Sequence, residues 1–243
     1  MLTLDHLYNQ SKRASGLIVE LVYPKVIEKR RTIIGQLVHQ YARPNAIVVD
    51  LGAGPGSFCL DEVPWPIRLV SVDRTITQET IVLGDVQQAP LRQGIADVVV
   101  AAEVIEHVRD PRRLCAEVSR VLSPRGVCIL STPWLWELIY QPEVQLLVRT
   151  TGTRSRTKKG NPKIALSRLL TAIDRGEAHI NWHAPQYWRR HLSRIFRQVR
   201  EVGICFRSRV SYDVQRNTLT AGFLLYLCSQ SPSALRPEES IPD

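Results

Sequence analysis

The chain has no C-x-x-C pair, no apolar run long enough to cross a bilayer as a helix, and no internal repeat. Its five cysteines, Cys59, Cys115, Cys128, Cys205 and Cys228, stand at irregular spacing. Zinc ribbons and redox dithiols therefore have no support. Several of these cysteines lie in apolar surroundings and read as plain buried thiols of a reducing compartment. The early apolar stretch Gly16-Leu17-Ile18-Val19 is cut by Glu20 and followed by Pro24, which is not the pattern of a secretory signal. The late run around Ala221 to Cys228 is too short for a membrane helix. A soluble, cytoplasmic protein is the expectation. His179 and His183 stand four apart, but no glutamate lies between them and no further ligand completes a set, so no metal is expected. Acid is missing altogether from Arg149 to Lys163, where Arg149, Arg154, Arg156, Lys158, Lys159 and Lys163 fall together.

What the chain does have is one organising stretch, Val48-Val49-Asp50-Leu51-Gly52-Ala53-Gly54-Pro55-Gly56-Ser57-Phe58. A β-branched run ends in an acid and then in three glycines at alternate positions. This reads as a buried parallel strand, a tight turn and the start of a helix. Open α/β sheets bind ligands outside the carboxyl ends of their strands. A dinucleotide fingerprint wants G-x-G-x-x-G, whereas here Ser57 occupies the third glycine's place and the glycine stands at Gly56. A carboxylate at Asp50 would repel a pyrophosphate and attract a cationic amino acid headgroup. Asp50 to Gly56 thus resembles the first motif of class I S-adenosylmethionine (SAM)-dependent methyltransferases. Their ligand carries an ammonium and a sulfonium and has no phosphate.

The partners of that turn follow in order. Pro24 to Tyr41 has helical spacing, with Val26, Ile27, Ile33, Ile34, Leu37, Val38 and Tyr41 on one side and Glu28, Lys29, Arg30 and Arg31 on the other. After the turn a short helix is expected, stopped by Pro64-Trp65-Pro66. Ile67 to Asp73 reads as the second strand. An acid at that place is the ribose ligand of nucleoside-binding α/β folds, and a helix N-cap is the alternative. Ile81 to Val86 is the third strand, Ala96 to Glu103 the fourth and Val127 to Ser131 the fifth. Asp110 and Pro111 open a helix that runs to Leu122.

Gly84-Asp85-Val86 with Ala89-Pro90-Leu91 resembles the family's adenine-binding segment; a plain turn aspartate is the alternative. Asp97 to Pro133 closely resembles the group that includes quinone-biosynthesis methyltransferases. Glu103-Val104-Ile105-Glu106-His107-Val108, Glu117-Val118-Ser119-Arg120-Val121-Leu122 and Ser123-Pro124-Arg125-Gly126 carry the likeness. It departs at Arg125, where the family has a second glycine. The resemblance implies a SAM site formed by Asp50, Gly52, Ala53, Gly54, Gly56, Asp73, Arg74, Asp85, Val86 and Glu103.

The expected fold is α/β: a Rossmann-like, seven-stranded, mostly parallel sheet with an antiparallel last strand and helices on both faces. Residues 1–23 form an N-terminal segment that could serve as a lid, and 24–133 the SAM-binding core. A lobe for the substrate is inserted over 134–183, and 184–228 return to the sheet with strands at Val199 to Phe206 and Thr218 to Cys228. Residues 229–243 are a Ser/Pro/Glu-rich tail expected to be disordered. Pro185 opens a helix within His183-Ala184-Pro185-Gln186-Tyr187-Trp188.

SAM chemistry needs positioning more than a fixed catalytic motif. If the acceptor is a hydroxyl, a base helps. His107 and His183 are the candidates, each with a structural alternative of bracing a helix. The favoured function is methyl transfer to a small organic acceptor, with the O-, N- or C-atom open. Two alternatives stand beside it. One is an RNA-modifying methyltransferase, suggested by the net charge of +9 and the basic lobe. The other is a SAM- or nucleoside-binding protein without catalysis.

Overall fold

The computed structural model describes residues 23–79, 81–133, 181, 183–204, 210–211 and 223–235. Apart from Tyr23, the N-terminal segment 1–23 lies outside the described residues. So does the 134–183 lobe except Asn181 and His183, and with it Arg149 to Lys163.

Helix α1 (Tyr23–Tyr41) precedes the sheet. Its buried stripe is Ile33, Ile34, Leu37 and Val38, one face of a 3.6-residue repeat. Asn45, in the left-handed region at φ 64°, turns the chain into β1; asparagine tolerates that conformation better than most residues. The strands are β1 (Ile47–Leu51), β2 (Arg68–Asp73), β3 (Val82–Leu83), β4 (Ala96–Ala102), β5 (Leu122–Pro133), β6 (Gln198–Ile204), β7 (Val210–Ser211) and β8 (Phe223–Ser229). They form one sheet in the order β3-β2-β1-β4-β5-β8-β6-β7. Strands β1 to β5 are parallel, and β8 runs antiparallel between β5 and β6. This is the expected sheet with one addition: β7, two residues long, pairs antiparallel on the outer edge of β6.

Alternation along the strands makes two cores. Val49, Leu51, Val99, Ala101, Cys128, Leu130, Leu224 and Tyr226 face helices α2 (Pro111–Val121) and α3 (Pro185–Leu192). Val48, Val98, Val100, Val127, Ile129, Leu225 and Leu227 face α1. Helices thus cover both faces, as a mostly parallel sheet requires. Asp110 caps α2, its Oδ1 accepting from the amides of Arg112 at 2.9 Å and Arg113 at 3.3 Å. Pro111 follows at the first helical position, where its missing N–H costs nothing.

Three expectations need correcting. No α-helix follows the glycine turn; a single 3-10 turn at Leu60–Glu62 stands there. The chain is tied to α1 instead, with the Cys59 amide donating to Arg31 O at 3.1 Å and Phe58 buried. Only seven residues separate Gly56 from Pro64, and a proline disfavours helix at the residue before it. The turn Ser123-Pro124-Arg125-Gly126 lies within β5, as an irregularity between the pairs Ala96–Leu122 and Val98–Val127. A Cβ at Gly126 would come 2.8 Å from Ala96 O, so this close approach is what demands glycine. Finally, the tail does not leave the fold at Ser229. Ser229 Oγ donates to Gly126 O at 2.9 Å, Gln230 Nε2 donates to Ile195 O at 2.8 Å, and Leu235 is buried.

Cys115, Cys128 and Cys228 are free and buried. Burial, with the Asp110 charge a lesser cause, pushes the Cys115 thiol up to about 12, so it behaves as a packing group.

Candidate functional site

The glycine turn sits at the carboxyl end of β1, between the ends of β2 and β4. Gly52, Gly54 and Gly56 all have positive φ, at 74°, 50° and 97°. At Gly52 a Cβ would lie 2.5 Å from Val104 Cγ2, so glycine lets the turn press against the loop after β4. At Gly54 a Cβ would meet nothing within 4 Å, which leaves open space over the turn for a ligand. Asp73, ending β2, holds this loop: one carboxylate oxygen accepts from the Gly54 amide and the other from the Thr75 amide, both at 2.9 Å. Thr77 Oγ1 donates to Gly54 O at 2.9 Å. Ala53 is buried within the turn, and Arg74 is exposed beside Asp73.

Asp50 lies beneath the turn, 2% exposed. Its Oδ2 accepts from the Ser57 amide at 3.3 Å, and its Oδ1 has no hydrogen-bond partner. Burial raises its pKa from 3.8 to about 6, and Asp73 adds to the rise; the Ser57 hydrogen bonds and Arg31 oppose it. A half-satisfied buried carboxylate is costly to keep charged.

Two arginines join the site from a direction that the sequence reading missed. Their charge suggests the outer side of α1 for Arg30 and Arg31. Instead Arg30 is 8% exposed and pairs with Glu103 at 3.3 Å, and an Arg31 guanidinium nitrogen would lie 3.3 Å from a Cβ at Gly56. The spacing carried a signal: Arg30 stands three and four residues before Ile33 and Ile34, hence on their face.

Glu103 follows β4 with φ 56°. Ser131 Oγ donates to its Oε1 at 2.7 Å, and its amide donates to Ser131 O at 3.2 Å. Glu106, 1% exposed, has no hydrogen-bond partner on either carboxylate oxygen. Burial first, then the nearby Glu103 charge, holds its carboxyl well above the ordinary range. His107 Nε2 lies 3.9 Å from Glu106 Oε1. Asn181 braces this loop from the far end of the lobe: its Nδ2 donates to Val108 O at 2.6 Å and its amide to Glu106 O at 3.0 Å.

Asp85 stands exposed after β3, its Oδ1 accepting from the Gln87 amide at 2.9 Å, and Val86 is buried behind it. Gln87 Oε1 in turn accepts from the Asp110 amide at 3.1 Å. Thus Asp50, Gly52, Gly54, Gly56 and Asp73 come together at one turn, with Glu103 joined through Arg30. Asp85 is reached through β3, where the Gly84 amide donates to Asp73 O at 2.9 Å. His183 belongs to another cluster. It stacks on Tyr187 at 3.7 Å between centroids and meets the Trp188 edge at 5.3 Å; burial lowers its pKa.

A parallel sheet of order 3-2-1-4-5, closed by an antiparallel hairpin neighbour and carrying a glycine turn clasped by the acid that ends β2, defines a Rossmann-like methyltransferase fold. The solved SAM-dependent methyltransferase of Thermotoga maritima superposes with a TM-score of 0.55 at 14% identity, over 92% of this chain and 100% of that one. The family model described as methyltransferase domain matches residues 26–199. The chain belongs to that family. Among curated relatives, an uncharacterized 37.1 kDa protein in transposon TN4556 of Streptomyces fradiae is 30% identical over 155 residues, 56% of this chain and 45% of the relative. A ubiquinone biosynthesis O-methyltransferase of Psychrobacter arcticus is 31% identical over 110 residues, 41% of this chain and 42% of the relative. The chain therefore spans less than half the length of these two relatives. The resemblance read from the motifs holds at the level of the family.

Proposed function

We propose that this protein is a SAM-dependent methyltransferase that delivers a methyl group to a small organic acceptor. The observation that carries the reading is the open, left-handed turn at Gly54, held by Asp73 and underlain by Asp50 with an unpartnered oxygen. Acids at a ligand turn suit a cationic ligand and repel a phosphate, and this disfavours a dinucleotide.

SAM supplies a methyl group that is already electrophilic on its sulfonium. The chain's task is to bind, orient and exclude water. Asp73 retains lone pairs beyond its two amide contacts and accepts from ribose hydroxyls in this reading. Asp85 and Val86 take the adenine end. Gly52, Ala53, Gly54 and Gly56 leave room for the methionine end above Asp50, and Glu103, held by Arg30 and Ser131, completes that end. Arg74 lies beside the sugar. For a hydroxyl acceptor His107, next to Glu106 after β4, takes the proton; His183 is the second candidate. Among the described residues no helix is long and apolar enough to cross a membrane, and we place the protein in the cytoplasm.

The test is to add the protein and SAM to cell extract and search by mass spectrometry for a metabolite that gains one methyl as S-adenosylhomocysteine accumulates. Failure of SAM to bind at millimolar concentration in calorimetry would overturn the reading.

A further inference from the structure

The face of the sheet covered by α2 and α3 turns a cationic surface outward. Arg109, Arg112 and Arg113 are exposed at the start of α2, and Arg190, Arg194 and Arg197 on and just after α3. None of these six forms a salt bridge with a described residue. From Asn181 to Arg200 the chain has five arginines and no carboxylate. Of the described acids here, Asp110 accepts from its two capping amides, and Glu117 further along α2 is paired with Arg120 at 2.6 Å. The two clusters are continuous: buried His191 of α3 faces the backbone of Pro111 and feels the charges of both Arg112 and Arg194.

We propose that this face docks the phosphodiester backbone of a single-stranded nucleic acid. Guanidinium forks match phosphate oxygens in pairs and suffer less from dehydration than ammonium groups. A membrane surface fits less well. The apolar residues of α3, Pro185, Trp188 and Leu192, are buried against the sheet, so the helix has no apolar face left to insert among lipids. Tyr187, 42% exposed at the end of the same face, already stacks on His183 at 3.7 Å, and an unpaired base can extend that stack at its exposed part. Arg112, Arg190 and Arg194 are not among the residues assigned to SAM or to proton transfer, so the proposal can be tested independently of methyl transfer.

The test measures binding of a fluorescent 20-mer of single-stranded RNA, and the same sequence as single-stranded DNA, by anisotropy across a salt series. Six phosphate contacts give a slope of log K against log salt of about −4. Replacing Arg112, Arg190 and Arg194 together with alanine should weaken binding at least tenfold at low salt and flatten the slope by about 2. Replacing the same three with lysine should keep most of the affinity, which separates lost charge from lost folding. SAM affinity should be unchanged in both variants. The proposal is overturned by no binding at low salt, by equal binding of the alanine variant, by binding only to duplex, or by binding only to phosphatidylserine vesicles.

Discussion

Replacing Asp50 with asparagine should make the ligand-free protein more stable while weakening its hold on SAM. The carboxylate is 2% exposed, with one oxygen on the Ser57 amide and the other without a partner. Its pKa rises from 3.8 to about 6, which at about 1.4 kcal/mol per unit is a burial cost for the charged form of about 3 kcal/mol. The folded state holds this proton more tightly than the unfolded chain. The stabilisation from the neutral form is therefore complete below about pH 3.8 and is lost as pH rises through about 6. Asparagine stays neutral at every pH and can still accept from Ser57 through its Oδ1. Its stability advantage over aspartate should grow by about 1.4 kcal/mol between about pH 5 and about pH 8, reaching about 3 kcal/mol. Urea denaturation of both proteins at the two pH values reads this directly. An advantage that does not change with pH, or a less stable variant at about pH 8, would refute the burial argument.

Gly52→Ala should cost about 3 kcal/mol, because the new Cβ meets Val104 2.5 Å away and φ is 74°; a thermal melt within a degree of the wild type would show that the turn yields. Asp110→Ala removes the cap of α2 and should cost about 1 kcal/mol in urea denaturation, and no loss would mean the cap is not needed. Asn181→Ala removes the 2.6 Å bond to Val108 O and should destabilise the protein by about 1 kcal/mol. Hydrogen exchange should then quicken at 104–108, and an unaltered exchange rate there would argue against the brace.

Much of the fold was legible because a parallel sheet writes itself plainly. Its strands are short β-branched runs, and the acids Asp50, Asp73 and Asp85 stand at or just past the ends of three of them. The cap at Asp110 and the proline openings of α2 and α3 rest on local backbone chemistry, so they were legible too. What escaped the reading depends on packing across distance. Nothing local in Phe58 and Cys59 says that they clamp onto α1 and pre-empt a helix after the turn. Charge suggested that Arg30 and Arg31 face solvent, and only their register with Ile33 and Ile34 argued otherwise. Glu106 stood inside a recognised motif, but its burial comes from the sheet ends around it. Asn181 is a single polar residue whose role exists only because the loop after β4 passes beside it.

The central claim is that acids around one glycine turn hold a cationic nucleoside. The most direct measurement is the equilibrium affinity of SAM, alongside NADH, for the wild type and for Asp73→Ala. SAM should bind the wild type in preference to NADH, and the variant should lose about tenfold or more, the worth of one or two hydrogen bonds to a charged group. Preference for NADH, or equal SAM affinity in the two proteins, would contradict it.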